Sequence, residues 1–291
     1  MGSKKVYATV AGFLALASSV SMARAADLLP PPPPPPLPVA AAPEFGGGWY
    51  LRGDVGVSNY SAGKWSNPKL PNATFYGEEM GSGAFAGIGA GYQFNSWFRA
   101  DVTGEYRFAS GMQGRDREVF VENGYRYSGY ETQKGMHSAG VFLVNGYFDL
   151  GNWYGITPFV GAGIGVVQHR LTGFDTTTHL PGGPVGGPNV SYGVYGGEIR
   201  NKNHSSLAWA LHAGLAYDVT SNVKLELAYR YLNMGDARTG GVSCYANPGN
   251  CLPGFKIKDI ESHDVKLGMR WALGGPAPAP AYEPAPLMRK Y

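Results

Sequence analysis

The strongest constraint on the fold is a period-two alternation of apolar and polar residues that recurs along the middle of the chain. In the stretch WFRADVTGEYRF, residues 97–108, polar or charged side chains occupy every second position and mostly apolar ones lie between them. Side chains of a β-strand point alternately to opposite faces, so this pattern predicts a strand with one apolar and one charged face. Such a strand fits a soluble sheet with its apolar face inside, or a membrane barrel with that face in lipid.

The same alternation predicts eight strands. They cover about residues 49–58, 84–94, 97–108, 137–149, 156–171, 206–219, 223–232 and 260–273. Most of them alternate cleanly, but residues 141–144 are apolar on both faces and leave the orientation of the fourth strand open. An even number of alternating strands is typical of a bacterial membrane barrel.

The lengths of the connections alternate as well. Three are short, at residues 95–96, 150–155 and 220–222, whereas four exceed twenty residues, at 59–83, 109–136, 172–205 and 233–259. Long structureless loops are uncommon in compact soluble domains, and short turns opposite long loops are typical of outer-membrane barrels. The sequence therefore predicts an all-β fold, an eight-stranded antiparallel transmembrane β-barrel with short periplasmic turns and long extracellular loops.

The two ends of the chain differ from the middle in composition. Residues 1–25 have a basic start, an apolar stretch and a cleavage site of the A-x-A type, which together predict a secretory signal peptide. Residues 26–46 are a Pro-rich periplasmic linker, and residues 274–291 are a Pro/Ala-rich C-terminal tail. Proline runs favour extended conformations and cannot enter the interior of a sheet. The barrel is therefore predicted to span residues 47–273.

Composition argues against several classes of protein. Removal of the signal peptide takes three of the 24 basic residues and none of the 21 acidic ones, so the mature chain carries 21 of each. A neutral balance gives no reason to expect nucleic acid as a partner. Beyond the signal peptide, no stretch approaches the ~18 apolar residues of a transmembrane helix. The histidines and carboxylates show no metal-ligand spacing, and we expect no metal and no cofactor.

Four stretches carry a family resemblance, namely WFRADVTGEYRF, GITPFVGAGIGVV, VKLELAYRYL and HDVKLGMRWAL. With them the chain resembles the small eight-stranded outer-membrane barrels of α-proteobacteria, the porin-like or outer-membrane immunogenic family, related in architecture to the OmpA transmembrane domain. The resemblance implies a bacterial outer-membrane location and a structural, surface-exposed role in envelope integrity and host or surface contact. It implies membrane lipid and lipopolysaccharide as neighbours, and no enzymatic activity.

The family's assembly signal can be placed in the last strand. The pattern of a polar residue, a glycine, an aromatic residue and a final hydrophobic residue falls on Lys266, Gly268, Trp271 and Leu273. The resemblance implies that the barrel-assembly machinery reads this strand. Some members are joined to peptidoglycan through a mature N-terminal alanine followed by an acidic residue. Ala26-Asp27 fits that pattern.

The predicted interior is charged and nearly balanced. An eight-stranded barrel is just wide enough to be filled by its own side chains, and unpaired charges there are costly, so we expect cross-strand ion pairs and a plugged or narrow lumen. Six of the predicted inward charges are acidic and seven are basic: Asp54, Asp101, Glu105, Asp218, Glu226 and Asp264 against Arg52, Arg99, Arg107, Lys224, Arg230, Lys266 and Arg270.

Two further groups of residues bear on function. Cys244 and Cys251 flank the turn residues Asn247-Pro248-Gly249, and an oxidising compartment with an even cysteine count favours a disulfide. Three alternatives to the structural role stay open: a low-conductance porin, an outer-membrane enzyme acting on lipid A or peptides, and a soluble lipocalin-like carrier. The carrier is prompted by Gly47-x-Trp49, and the enzyme by His137-Ser138, His169 and His212.

Overall fold

The computed structural model describes residues 48–245 and 253–274, and every element of regular secondary structure in these ranges is a β-strand. The strands, numbered in chain order, are β1 (Gly48–Ser61), β2 (Trp65–Ser66), β3 (Thr74–Met80), β4 (Gly83–Gln93), β5 (Phe98–Glu122), β6 (Tyr125–Asp149), β7 (Ile156–Pro184), β8 (Val190–Ile199), β9 (Lys202–Asp218), β10 (Val223–Asn233), β11 (Ala237–Arg238), β12 (Val242–Cys244), β13 (Lys256–Ile257) and β14 (Glu261–Ala272). A helix suited to crossing a membrane is not found in this part of the chain.

Eight antiparallel strands close into a ring. Neighbours pair in the order β1, β4, β5, β6, β7, β9, β10 and β14. The ring closes because β14 pairs with β1 over twelve residue pairs, from Tyr50–Ala272 to Ser61–Glu261. Closure gives the backbone groups of both terminal strands a partner, which is the condition for a sheet to lie in lipid. The predicted all-β fold with an eight-stranded antiparallel barrel is confirmed.

Alternation decides which side chains enter the barrel. On β1, Tyr50, Arg52 and Asp54 are buried, whereas Leu51 and Val55 are 46% and 56% exposed. The other barrel strands repeat this arrangement, with charged or small residues inside and aliphatic residues outside. An apolar exterior around a polar interior is the reverse of a soluble barrel that carries an apolar ligand, and it suits a barrel surrounded by lipid.

The structure settles the orientation of the fourth predicted strand, which is part of β6. Asn145, Tyr147 and Asp149 are buried in the interior, and Val144 and Phe148 are exposed on the outside. Residues 141–144 are apolar on both faces because Val141 and Leu143 contribute to an apolar core inside the barrel. The sequence did not predict the orientation of this strand because its inner face is apolar in one part and polar in another, so the residues do not alternate uniformly.

Two of the four predicted long loops are β-strands in the structure, so this part of the prediction is wrong. β5 and β6 continue without interruption through residues 109–136 as a β-hairpin, closed by a two-residue turn at Asn123-Gly124. β7 continues to Pro184 and is followed by β8, so residues 172–205 are also largely strand. We call this extension of the barrel wall, with β3 and β12 at its edges, the extracellular sheet.

Parts of the other two long connections fold onto the barrel interior. β2 from residues 59–83, with β11 and β13 from residues 233–259, forms a small three-stranded inner sheet. One side chain of each strand, namely Trp65, Ala237 and Ile257, is 3% exposed or less and joins the apolar core of the extracellular half of the barrel. The ring centroid of Trp65 lies 6.1 Å from that of Phe255 and 6.3 Å from that of Phe174. We call Trp65, Phe174, Phe255 and Ile257 the apolar cap.

Candidate functional site

The barrel interior holds a lower charge network on its periplasmic side, centred on Arg52 and Glu226. Arg52 donates to Asp54 at 2.8 Å, to Asp101 at 2.7 Å and to Glu226 at 3.1 Å. Arg99 and Arg270 also lie within 3.3 Å of Glu226. With Asp54 and Asp101, the three guanidinium groups face three carboxylates, and these opposite charges together offset the cost of removing the groups from water.

Two more contacts complete the lower network. Lys266 lies 3.5 Å from Asp54, and Arg99 contacts Asp149 at 3.2 Å. The Arg99 guanidinium also lies 4.0 Å from the ring centroid of Tyr147, a cation–π arrangement. Sequence reasoning missed Asp149 because it ends the strand that could not be oriented. Asp149 brings the predicted set of inward charges to seven of each sign, where the sequence predicted seven basic against six acidic residues.

An upper charge network lies above the first. Arg230 contacts Glu105 at 2.8 Å and Asp264 at 2.7 Å. Arg107 contacts the same two carboxylates and donates to Ser262 at 3.0 Å. Two arginines and two carboxylates form a closed square in which each charge has two opposite neighbours, and all four groups are 6% exposed or less.

The last two of the predicted inward charges, Lys224 and Asp218, lie at the periplasmic rim and are partly exposed, with a contact of 2.7 Å. Here the interior opens as a cavity of about 740 Å³ lined by Gln93, Trp97 and Asp149 among others. Towards the extracellular side the cavity is followed by the lower network, the upper network and then the apolar cap. The described interior therefore has a cavity at its periplasmic end, with two charge networks and the apolar cap above it.

The residues of the predicted assembly signal, three on β14 and Leu273 just after it, divide between the inner and outer faces of the barrel. Lys266 and Gly268 point inward, and Trp271 and Leu273 are 53% and 54% exposed on the outside. A Cβ atom on residue 268 would lie only 2.4 Å from Oδ1 of Asp54. Gly268 therefore has a structural role, since it leaves room for the carboxylate that binds Arg52 and Lys266.

The candidate catalytic residues do not form a triad. His137 and His169 are buried, with Nε2 of His137 2.9 Å from Nδ1 of His169, and the second nitrogen of His169 contacts the carbonyl oxygen of Met234 at 3.0 Å. Ser138 follows His137 on the same strand and points to the opposite face. His212 lies deeper in the barrel beside Asn145. Across the described ranges, groups of three or more His, Cys, Asp or Glu side chains that could hold a metal ion are not found.

Aromatic residues encircle both ends of the apolar band. Beside the short turns, rings of Trp49, Tyr92, Phe94, Phe98 and Phe148 follow one another at centroid distances of 5.1 to 5.4 Å where they meet. On the extracellular side, the exposed aromatic residues are Tyr106, Phe108, Trp209 and Tyr229. Two aromatic belts separated by an aliphatic band mark the interfaces of a membrane.

The extracellular sheet carries exposed aromatic and aliphatic side chains far above the outer belt. Phe120 is twelve residues beyond Phe108 on β5, a strand path of roughly 40 Å. Its ring stacks on Tyr127 at 5.0 Å, and Tyr127 in turn lies 5.7 Å from Tyr192. The large hydrophobic side chains exposed by 38% or more in this region are Tyr76, Val119, Phe120, Val121, Tyr125, Tyr130, Met136, Val185, Val190, Tyr192, Val194 and Tyr195.

A closed barrel with a lipid-facing band, two aromatic belts and a charged interior defines an outer-membrane β-barrel protein. The family model of the outer membrane protein beta-barrel domain matches residues 13–271, and the chain belongs to this family. The protein lies in the bacterial outer membrane, in contact with its lipid and lipopolysaccharide.

Relatives come from α-proteobacteria. An uncharacterised protein of Brucella abortus is 28% identical over 285 residues, which cover 88% of this chain and 94% of the relative. A protein of Rickettsia bellii that is provisionally named an adhesin is 28% identical over 231 residues, covering 77% and 88% of the two chains.

Solved outer-membrane structures are similar to this chain at lower identity. Neisserial surface protein A is 17% identical, with a TM-score of 0.39, and the similarity covers 78% of this chain and 99% of that protein. OprG of Pseudomonas aeruginosa is 10% identical, with a TM-score of 0.40 and coverage of 78% and 97%.

Proposed function

We propose that the protein is a surface-exposed structural barrel whose extracellular sheet contacts other surfaces as an adhesin. The observation that carries this proposal is the band of exposed tyrosine and valine side chains on the extracellular sheet, well outside the membrane. Exposed apolar patches on soluble surfaces mark interaction sites, and tyrosine supplies large contact area with little loss of side-chain entropy. The provisional naming of the Rickettsia relatives as adhesins supports the same role.

Adhesion is tested by displaying the protein on a non-adherent bacterium and counting cells that bind to cultured host cells. We expect the wild type to raise binding several-fold over the empty vector. Replacing Tyr125, Tyr130 and Tyr192 by serine removes exposed ring area without touching the barrel, so binding falls towards the vector level. Ser191→Ala on the same sheet is the control and keeps full binding. If the triple variant binds host cells as well as the wild type does at the same level of surface display, this surface is not the adhesive one.

We also propose that the protein is not an enzyme. His137 and His169 face each other inside the apolar core, and Ser138 lies on the other face of β6. These residues therefore do not form a pair of nucleophile and general base. The purified protein is expected to leave lipid A and peptide substrates unchanged. Turnover that is lost in a His137→Ala variant would instead support an outer-membrane hydrolase.

A second proposed role is attachment of the outer membrane to the cell wall. β1 begins at Gly48 on the short-turn side, so the chain before it enters from the periplasm. About twenty extended residues reach roughly 60 Å at 3.1 Å each. Ala26 and Asp27 lie outside the described residues, and their attachment to peptidoglycan stays a prediction. The test is mass spectrometry of lysozyme-digested sacculi for a muropeptide on the Ala26 amine. Free Ala26 termini alone would exclude the tether.

Two other predicted contacts stay predictions. Reading of Lys266, Gly268, Trp271 and Leu273 by the barrel-assembly machinery is one, and the exposed positions of Trp271 and Leu273 are compatible with it. The Cys244–Cys251 disulfide is the other, because Cys251 lies outside the described residues. Mass measurement after alkylation without reductant decides the disulfide, since a bridged chain gains no alkyl group.

A further inference from the structure

Two carboxylates are buried side by side in the extracellular sheet. Asp116 on β5 and Glu131 on β6 are direct cross-strand partners, and they are 4% and 8% exposed. Both face the same side of the sheet as the apolar cap, because Gly114, two residues before Asp116, packs against the ring of Trp65. Like charges placed directly opposite each other on neighbouring strands are destabilising.

This pair lacks the compensation that the barrel gives its other buried acids. The five other buried carboxylates of the described ranges each have an Arg or Lys nitrogen within 3.2 Å: Asp54, Asp101, Asp149, Glu226 and Asp264. Asp116 and Glu131 have no cationic side chain within ion-pair distance in these ranges. Burial and the charge of Asp116 raise the pKa of Glu131 to about 7, which reflects the same lack of compensation.

Neutral oxygen-bearing side chains complete the surroundings of the pair. Gln133 is fully buried, and its Nε2 donates to Oδ1 of Asp116 at 2.6 Å. Its Oε1 has no hydrogen-bond partner among the described residues, although a buried polar atom normally has one. Thr176 on β7, 5% exposed, is the cross-strand partner of Gln133. Rotation of the amide by half a turn brings Oε1 towards the carboxylates without changing the shape of the side chain.

We propose that Asp116, Glu131, Gln133 and Thr176 form a binding site for one calcium ion in the extracellular sheet. Two carboxylates, an amide oxygen and a hydroxyl supply up to six oxygen ligands, which is the hard donor set and the number that Ca²⁺ takes. Zinc and copper fit poorly, because these four residues offer no nitrogen or sulfur ligand. The ion neutralises both carboxylates and links β5, β6 and β7, which stiffens the surface that the proposed adhesin presents.

The site can be probed with terbium, which replaces calcium and luminesces when a nearby tryptophan transfers energy to it. Trp65 packs against Gly114 near the pair and serves as the donor. The mature protein, refolded in detergent free of lipopolysaccharide, is titrated with Tb³⁺ after chelation. We expect saturation at one ion per chain and displacement by Ca²⁺. Asp116→Asn and Glu131→Gln each weaken binding at least tenfold, while Glu122→Gln, an exposed carboxylate of the same hairpin, leaves it unchanged.

Hydrogen exchange of residues 109–136 gives a second measurement that needs no variant. At pH 8 the wild type is expected to exchange at least tenfold more slowly with Ca²⁺ than with a chelator. If either carboxylate variant fails to fold, Thr176→Val replaces it and is expected to weaken Tb³⁺ binding. The proposal is overturned if the wild type shows no saturable Tb³⁺ binding, or if the folded variants bind like the wild type. Exchange that responds to pH but not to Ca²⁺ would assign the pair to a shared proton and would also overturn it. The adhesion test is independent of these results.

Discussion

Glu226 is the residue on which the lower charge network depends most. It accepts contacts from Arg52, Arg99 and Arg270, and it is 1% exposed. Glu226→Gln leaves three buried guanidinium groups with one carboxylate fewer, and breaking a buried ion pair costs about 3–5 kcal/mol. We expect the free energy of unfolding to fall by that amount in urea unfolding followed by tryptophan fluorescence. Glu122→Gln is the exposed control, and a loss of less than about 1 kcal/mol for Glu226→Gln would contradict the ion-pair account.

Gly268 allows a sharper test of the same network, because only one methyl group is added. In Gly268→Ala the new Cβ would meet Oδ1 of Asp54 at 2.4 Å, so Asp54 must move away from Arg52. Overpacking of this kind costs about 1–3 kcal/mol. Gly53→Ala is the matched control, since a Cβ there meets nothing within 4 Å. Refolding in detergent without assembly machinery separates this packing effect from any defect in strand recognition, and equal unfolding free energies would refute it.

At the scale of the element, the sequence predicted the membrane-embedded part of each strand and missed the continuation of three, β5, β6 and β7. Inside the membrane one strand face meets lipid and the other meets the interior, so the residues alternate between apolar and polar. Above it, Asp116 and Gln133 face inward while Arg115 and Arg117 face outward, and both faces are polar. Hydrophobic alternation therefore disappears although the strands continue. The dipeptide Asn123-Gly124 was the available signal, because Asn-Gly favours two-residue hairpin turns.

The interior was predictable only in part, for a related reason. The six acidic and seven basic residues were placed by alternation, but the partner of each depends on register and side-chain reach across the barrel, which no local pattern encodes. Arg107, for example, contacts Asp264 from 157 positions away in sequence. The apolar cap was missed because β2, β11 and β13 have only two residues each, too few for any periodicity.

The hairpin turn of the extracellular sheet gives a prediction at the same scale. Gly124 has a φ of +80°, and a Cβ there meets nothing within 4 Å, so Gly124→Val acts through backbone strain alone. Strain of this kind costs about 1–3 kcal/mol. We expect faster hydrogen exchange in the neighbouring hairpin and unchanged exchange in β1 and β14. Gly111→Val, also in open space but without positive φ, is the control. Loss of protection throughout the barrel would show that the extension does not open independently.

For the whole molecule, the filling of the interior predicts poor ion conduction. A permeating ion entering from the periplasm meets the two charge networks and then the apolar cap, and these obstacles lie in series. Neutral replacement of one layer, as in Arg230→Asn with Asp264→Asn, leaves the apolar cap in place. Likewise, Trp65→Gly with Phe255→Gly leaves the charged side chains in place. Since series barriers add, either pair of substitutions alone should raise conductance only slightly.

The combined variant is therefore the decisive one. With all four substitutions, we expect planar-bilayer conductance well above that of the wild type and of either double variant, because an aqueous path then connects the periplasmic cavity to the extracellular side. The wild type should show little conductance and no sugar flux into liposomes. A barrel of eight strands has no room for a wide channel beside its own side chains, whereas diffusion porins use sixteen or more strands. Large, stable conductance in the wild type would show that the networks or the apolar cap move aside in the membrane, and the protein would then be a low-conductance porin rather than a closed scaffold.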